Sequence, residues 1–82
     1  MIYLIEYDRP NGRIVTFEKF DDTERVKAET ARLHLDLKLS HNSVEHEVVL
    51  LEADNEEALR RTHRRYFEDI SQIINSVDGQ NQ

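Results

Sequence analysis

Apolar positions near the start of the chain fall in two short segments that are rich in β-branched and aromatic side chains. The segments cover residues 2–7 and 13–19, and a polar stretch, 8–12, separates them. Within that stretch Pro10 presets φ for an early turn position, and Gly12 supplies the positive φ that closes a turn. The pattern predicts a β-hairpin.

A first helix is predicted after the hairpin, because helix-forming residues dominate from Thr23 onward and the acidic pair at 21–22 offers an N-cap. The end of this helix is ambiguous, since leucines alternate with polar residues over 33–39 with the period of a half-buried strand. None of these residues is β-branched or aromatic, which favours a helix through about Leu39. The strand remains the alternative.

Two apolar stripes follow opposite sides of this predicted helix. The first contains Val26, Thr30, Leu33 and Leu37. The second contains Ala28, Ala31, Leu35 and Leu39. Apolar stripes on both sides imply apolar neighbours on both sides, one of which can be another subunit.

The rest of the chain adds a strand and a second helix. Residues 46–53 are predicted as a strand whose Val-Val-Leu-Leu centre is apolar on both faces, as is typical of a sheet covered on both sides. Asp54 followed three residues later by Glu57 resembles a capping box. We expect the second helix to begin there and to run to about Val77.

The resulting order, ββαβα, defines the predicted fold. A right-handed connection places the third strand beside the first, which gives a small three-stranded antiparallel or mixed sheet in the order 2-1-3. We expect a two-layer α+β sandwich with both helices on one face, formed by residues 1–77 as a single domain, and a disordered C-terminal tail at 78–82. The hairpin is apolar on both faces, so sheet-on-sheet packing or edge pairing with a second copy would hide the other face. This predicts a homodimer.

Composition restricts the classes of protein that the chain can belong to. It has 82 residues, of which 38% are hydrophobic and 34% charged, an ordinary globular composition. The longest apolar run, 48–51, is far shorter than the ~20 residues that span a bilayer, and no secretory signal is recognisable, so a cytoplasmic location is expected. The net charge of −6 opposes binding to nucleic acid or to an anionic membrane.

Four arginines in the second predicted helix are the obvious candidates for phosphate binding: Arg60, Arg61, Arg64 and Arg65. Each has an acidic residue four positions away on its own helix face, and these are Glu56, Glu57, Glu68 and Asp69, respectively. Such pairs form a locally neutralised surface. We therefore predict no nucleic-acid partner.

His63 occupies a position on the apolar face of the second predicted helix. The other members of that face are Leu59, Tyr66, Phe67, Ile70, Ile73, Ile74 and Val77. One interpretation is a core histidine whose ring nitrogens are satisfied by a carbonyl or a tyrosine. The other is a ligand-binding or general-base histidine in a pocket between sheet and helix, with Tyr66, Tyr3 and Tyr7 as the other ligand-binding residues.

No catalytic or metal-binding motif is recognisable. His41, Glu45 and His46 superficially resemble an HxxEH metal motif, but the spacing is one residue too long and the context is a loop. The only glycines are Gly12 and Gly79, which leaves no glycine-rich phosphate loop, and the absence of cysteine excludes thiolate nucleophiles and zinc sites of the Cys type. We predict no catalytic residue, metal or cofactor.

These observations favour a small, acidic, non-enzymatic protein that forms a homodimer and acts as a protein–protein interaction or regulatory module. The alternative is a small-molecule-binding protein or a simple enzyme with a pocket around His63 and Tyr66. A third possibility, an acidic mimic that occupies a nucleic-acid site on another protein, fits the charge but has no positional support.

Overall fold

The computed structural model describes residues 1–68, whose strands form one sheet in the order β2-β1-β3. The strands are β1 (Ile2–Asp8), β2 (Arg13–Phe20) and β3 (Glu47–Glu52). The helices are α1 (Arg25–His41) and α2 (Glu56–Thr62), and single 3₁₀ turns lie at Asp22–Glu24 and Arg64–Tyr66. The ββαβα order, the strand order 2-1-3 and the α+β class predicted from the sequence are confirmed.

The hairpin forms as its turn sequence predicts. Gly12 has a positive φ of 61°, and its N–H donates to the carbonyl of Arg9 at 3.2 Å. Both β2 and β3 run antiparallel to β1. The register of β1 with β2 shifts after Glu6, so that Val15 is an extra residue on β2 and forms a β-bulge.

Residues 33–39 are helical, which decides the ambiguity at the end of the first helix in favour of the helix. The segment begins with a capping box, in which Asp21 accepts from the N–H of Thr23 at 3.0 Å and Glu24 accepts from the N–H of Asp21 at 2.9 Å. It ends where Ser43 adopts a left-handed φ of 56°. The N–H of Val44 then donates to the carbonyl of Leu39 at 2.9 Å, which closes the last turn.

The expected two-layer arrangement with both helices on one face is not observed, because the helices pack on opposite faces of the sheet. One buried cluster joins α1 to even-numbered residues of β1 and consists of Ile2, Leu4, Phe20 and Ala28. The other joins α2 and the following turn to odd-numbered residues of β1 and consists of Tyr3, Ile5, Leu59 and Tyr66. Successive side chains of a strand point to opposite faces, so these clusters form separate layers of core.

The central strand gives the physical reason for the three-layer arrangement. It is apolar on both faces, and α1 alone would leave Tyr3 and Ile5 in water. Each of these two side chains has no measurable exposure, which requires a second cover. This cover is α2 of the same chain, so burial of the face does not require a second copy. The argument for a homodimer from an uncovered sheet face is therefore lost.

The second helix is much shorter than predicted. Its N-cap is Asn55, not Asp54, and the Oδ1 atom of Asn55 accepts from the N–H of Ala58 at 2.8 Å. The helix ends at Thr62, whose hydroxyl donates back to the carbonyl of Ala58 at 3.0 Å, a bond that loosens a helix at this point. The predicted continuation to Val77 is therefore interrupted at His63. Positions 69–82, which include the predicted tail, lie outside the described residues.

Two substitutions test whether α1 and α2 cover opposite faces of the sheet. We expect Leu59→Ala and Leu4→Ala each to lower the free energy of unfolding by about 2–5 kcal/mol, because each removes a buried side chain from a different layer. Urea unfolding followed by circular dichroism measures both. A change below about 0.5 kcal/mol for Leu59→Ala alone, as for an exposed residue, would contradict the three-layer arrangement.

Candidate functional site

The structure brings together two of the tyrosines predicted to bind a ligand. The rings of Tyr7 and Tyr66 meet edge to face with their centroids 5.1 Å apart. The hydroxyl of Tyr66 donates to Glu47 at 3.0 Å and accepts from Arg65 at 2.8 Å, and Arg65 also reaches Glu47 at 2.9 Å. These contacts tie the last described turn to the start of β3 and use the hydrogen-bonding capacity of Tyr66 within the fold.

Tyr3 is deeply buried on the same face of the sheet. Its ring packs against Phe17 with the centroids 5.6 Å apart, and its side chain has no measurable exposure. Within the described part of the chain its hydroxyl has no hydrogen-bond partner. Burial raises the pKa of Tyr3, and the charges of Glu56 and Asp22 raise it further. Tyr3 is therefore an uncharged core residue at neutral pH.

A shallow depression lies beside Tyr66 on this face, with a volume of about 210 Å³. It is lined by Gly12, Arg13, Ile14, Arg60, Tyr66 and Phe67. Small-molecule sites usually have volumes of about 300–1,000 Å³. Tyr66 is the only one of the four predicted ligand-binding residues in this lining, and its hydroxyl is already bonded.

His63 meets Tyr66 through the backbone, where its carbonyl accepts from the N–H of Tyr66 at 3.2 Å. It is the C-cap of α2, with φ −125° and ψ 50°, and its Nδ1 lies 2.9 Å from the hydroxyl of Thr62. Its side chain is half-buried. The position predicted for His63 assumed an uninterrupted helix, and the break at this residue removes that geometry.

The arginines are paired with carboxylates, as their spacing predicts. The ion pairs are Arg60 with Glu56 at 2.9 Å, Arg61 with Glu57 at 4.0 Å, Arg64 with Glu68 at 2.9 Å and Arg65 with Glu47 at 2.9 Å. Arg65 thus contacts β3, whereas the partner predicted for it, Asp69, lies beyond the described residues. Because each guanidinium has an acidic neighbour, this surface is locally neutralised, as the sequence predicts.

A buried polar cluster at the C-terminal end of β1 was not predicted from the sequence. Glu6 and Asp8 are only 5% and 7% exposed. The Nδ1 atom of His46 lies 2.5 Å from Glu6 Oε2, and Thr16 donates its hydroxyl proton to Glu6 Oε1 at 2.7 Å. The Nε2 atom of His46 lies 3.8 Å from Asp8, whose Oδ2 accepts from the side-chain amide of Asn11 at 2.6 Å.

This cluster keeps both carboxylates ionised. Burial acts to raise the pKa of Glu6, but the hydrogen bonds from His46 and Thr16 outweigh burial and hold this pKa below its ordinary value. Hydrogen bonding from Asn11 lowers the pKa of Asp8. The two ring nitrogens of His46 point to different carboxylates, so the three groups do not converge on a common point. Among residues 1–68 no group of histidine and carboxylate side chains could hold a metal ion.

Three of the six exposed large apolar side chains among the described residues lie on the outer side of α1. The inner side packs on the sheet through Ala28, which is fully buried, and through Ala31 and Leu35. The opposite side carries an outer stripe made of Val26, Thr30, Leu33 and Leu37. Of these, Val26 is 78% exposed, Leu33 56% and Leu37 59%. Exposed apolar side chains aligned along a helix are typical of an interaction surface.

The comparisons with known proteins give no relative. No family model, curated protein or solved structure matches this chain. Within the described residues no helix is both long enough and apolar enough to cross a membrane. The case for a function therefore depends on the surfaces of the molecule itself.

The Glu6 cluster should make stability sensitive to acid. A folded-state pKa below the unfolded value of about 4.3 stabilises the fold above that pH, and the contribution is lost as the pH falls through the folded pKa. We expect Glu6→Gln to be less stable than the wild type at pH 7 by about 1–3 kcal/mol and to lose stability less steeply below pH ~4.3. Urea unfolding between pH 3 and pH 7, chosen to bracket this transition, measures both effects.

The control for this variant is Glu45→Gln, which removes a carboxylate from the exposed loop before β3. It should match the wild type at pH 7 to within about 0.5 kcal/mol. Equal acid sensitivity in Glu6→Gln and the wild type would show that the cluster does not stabilise the fold.

Two tyrosine variants distinguish a packing role from a hydrogen-bonding role. Tyr3→Phe should leave stability unchanged or raise it by about 1 kcal/mol, because it removes a buried hydroxyl that has no hydrogen-bond partner among residues 1–68. Tyr66→Phe should lower stability by about 1.5–3 kcal/mol, because its hydroxyl donates to the charged Glu47. Urea unfolding compares them directly. A loss of stability in Tyr3→Phe as large as in Tyr66→Phe would show that the Tyr3 hydroxyl has a partner.

Proposed function

We propose that this protein is a non-enzymatic interaction module that forms a homodimer through the outer stripe of α1. The observation that carries this proposal is the exposure of Val26, Leu33 and Leu37 on the side of the helix that faces away from its own sheet. The inner side already satisfies the packing requirement of the fold. The outer stripe is therefore available for contact with another chain.

The size of the stripe sets the expected strength of this contact. Complete burial of a leucine or valine side chain is worth about 1.5–3 kcal/mol, and a symmetric contact buries each residue twice. Association costs about 4–15 kcal/mol in lost translational and rotational freedom. The 17-residue helix is about 26 Å long, so the interface is small. We expect reversible association, with a Kd on the order of micromolar or weaker.

The alternative, a small-molecule-binding protein or simple enzyme with a pocket around His63 and Tyr66, has less support. The depression beside Tyr66 is small, and the hydroxyl of Tyr66 is bonded to Glu47 and Arg65. His63 caps α2, and its Nδ1 lies 2.9 Å from the hydroxyl of Thr62. These contacts favour structural roles for both residues.

The proposal is tested by the mass of the protein in solution. Sedimentation equilibrium over a series of concentrations should show a rise from the chain mass of 9.7 kDa toward twice that value. Leu33→Lys should stay monomeric over the same range, because it places a charge in the middle of the outer stripe. Its circular dichroism spectrum should match that of the wild type, since position 33 does not face the core.

The matched control is Val15→Lys, which changes an apolar residue that is 50% exposed on the edge strand β2. This variant should dimerise like the wild type. Loss of the dimer in Val15→Lys and not in Leu33→Lys would place the interface at the sheet edge. A wild-type protein that stays monomeric at every concentration would overturn the proposed function.

A further inference from the structure

The spacing within the outer stripe is that of a coiled-coil seam. Val26, Thr30, Leu33 and Leu37 are separated by four, three and four residues. At 100° per residue they fall within an arc of roughly 60°. Steps of four and three alternate in the heptad repeat, where they mark the positions that meet a second helix. In heptad terms Val26 and Leu33 are d positions, and Thr30 and Leu37 are a positions.

The two flanks of the outer stripe differ in their side chains: one carries hydrogen-bond acceptors and the other carries donors. One flank, the g positions, presents the carboxylates Glu29 and Asp36. The other flank, the e positions, presents Lys27, His34 and His41. All five residues are exposed. Lysine donates hydrogen bonds as a cation, and histidine retains at least one N–H donor in either protonation state.

The carboxylates are available to a second helix. Asp36 contacts Arg32 at 3.7 Å, an exposed pair of the kind worth about 0–1 kcal/mol. The acidic flank also borders a groove of about 500 Å³ between α1 and β3. This groove is lined by Arg25, Glu29, Arg32, Leu33, Asp36 and Leu50. Its lining combines the apolar Leu33 and Leu50 with two carboxylates and two arginines, so charged side chains from outside would find partners of either sign.

From this arrangement we infer that α1 pairs with α1 of a second copy in parallel orientation. In a parallel pair the g flank of each helix faces the e flank of the other, five residues further on. Glu29 then meets His34 of the second copy, and Asp36 meets His41. In an antiparallel pair like flanks would face each other, which would bring Glu29 and Asp36 against carboxylates. Charge thus selects the parallel pair, and hydrophobic contact along the stripe holds it together.

This inference rests on the proposed function, since it specifies the partner and orientation of the same surface. In a parallel pair each d position lies beside its own copy, and in an antiparallel pair only residues near the middle do. The chain contains no cysteine, so single cysteines report these distances without background. Val26→Cys and Ser40→Cys place a thiol at the first and last d positions of α1.

Under mild oxidation of the full-length protein, each of these variants should form a disulfide with itself. The control is Glu18→Cys, which places a thiol at an exposed position on β2 and should give only the background of random collisions. In an antiparallel pair a positions lie beside d positions, so Val26→Cys would cross-link to Leu37→Cys in a mixture and not to itself. That outcome would overturn the orientation while leaving the homodimer intact. If all variants show only background cross-linking while sedimentation gives the mass of a dimer, the interface lies elsewhere.

A charge exchange tests the role of the flanks separately. Glu29→Lys/Asp36→Lys makes both flanks basic, and Lys27→Glu/His34→Glu/His41→Glu makes both acidic. Each variant alone should lose self-association, and an equimolar mixture should recover a complex of dimer mass. Unchanged self-association of either variant would show that charge does not specify the pair.

Other occupants of the stripe give distinct results. If residues 69–82 of the same chain cover it, the wild type will be monomeric at every concentration, and Leu33→Lys will lower the urea midpoint. That outcome would overturn both the orientation and the proposed function. A monomer in which Leu33→Lys leaves the midpoint unchanged would indicate a free surface for a different protein, and it would equally overturn pairing between copies.

Discussion

The fold depends on the burial of a central strand that is apolar on both sides. Along β1, Ile2 and Leu4 point to one face and Tyr3 and Ile5 to the other, and none of the four is more than 2% exposed. A strand of this kind needs a cover on each face, since every uncovered leucine or isoleucine would forfeit about 1.5–3 kcal/mol of burial. The short chain meets this requirement with one helix per face. Each core layer is consequently thin and relies on few side chains.

The same strand changes character at its far end, where Glu6 and Asp8 continue the face that carries Ile2 and Leu4. Two buried carboxylates would be costly without partners, and His46, Thr16 and Asn11 supply them. His46 reaches this position because Ser43 ends α1 in a left-handed conformation and returns the chain to the sheet. The polar cluster therefore links the segment that precedes β3 to both strands of the hairpin and to its turn.

Local sequence signals predict much of the fold, and tertiary contacts determine the rest. The hairpin, the N-cap at Asp21 and the helical assignment of residues 33–39 follow from turn chemistry, capping and side-chain propensity. The break at His63 follows from the bond of Thr62 back to its own helix and from the packing of the next turn on Tyr7, which periodicity does not encode. Likewise, the contact between Glu6 and His46 spans 40 residues and depends on a strand register that the sequence pattern does not specify.

Helix α1 has an apolar stripe on each of two opposite sides, and the core of a monomer explains only one of them. The inner stripe supplies Ala28, Ala31 and Leu35 to the core, and the outer stripe exposes three large apolar side chains. Selection for the core alone would favour polar residues on the outer side. The outer residues also keep the alternation of four and three that a second helix requires, with carboxylates along one flank and basic or histidine side chains along the other. A helix that serves one interface would not need either regularity, and this is the argument for our proposal that α1 also contacts a second copy.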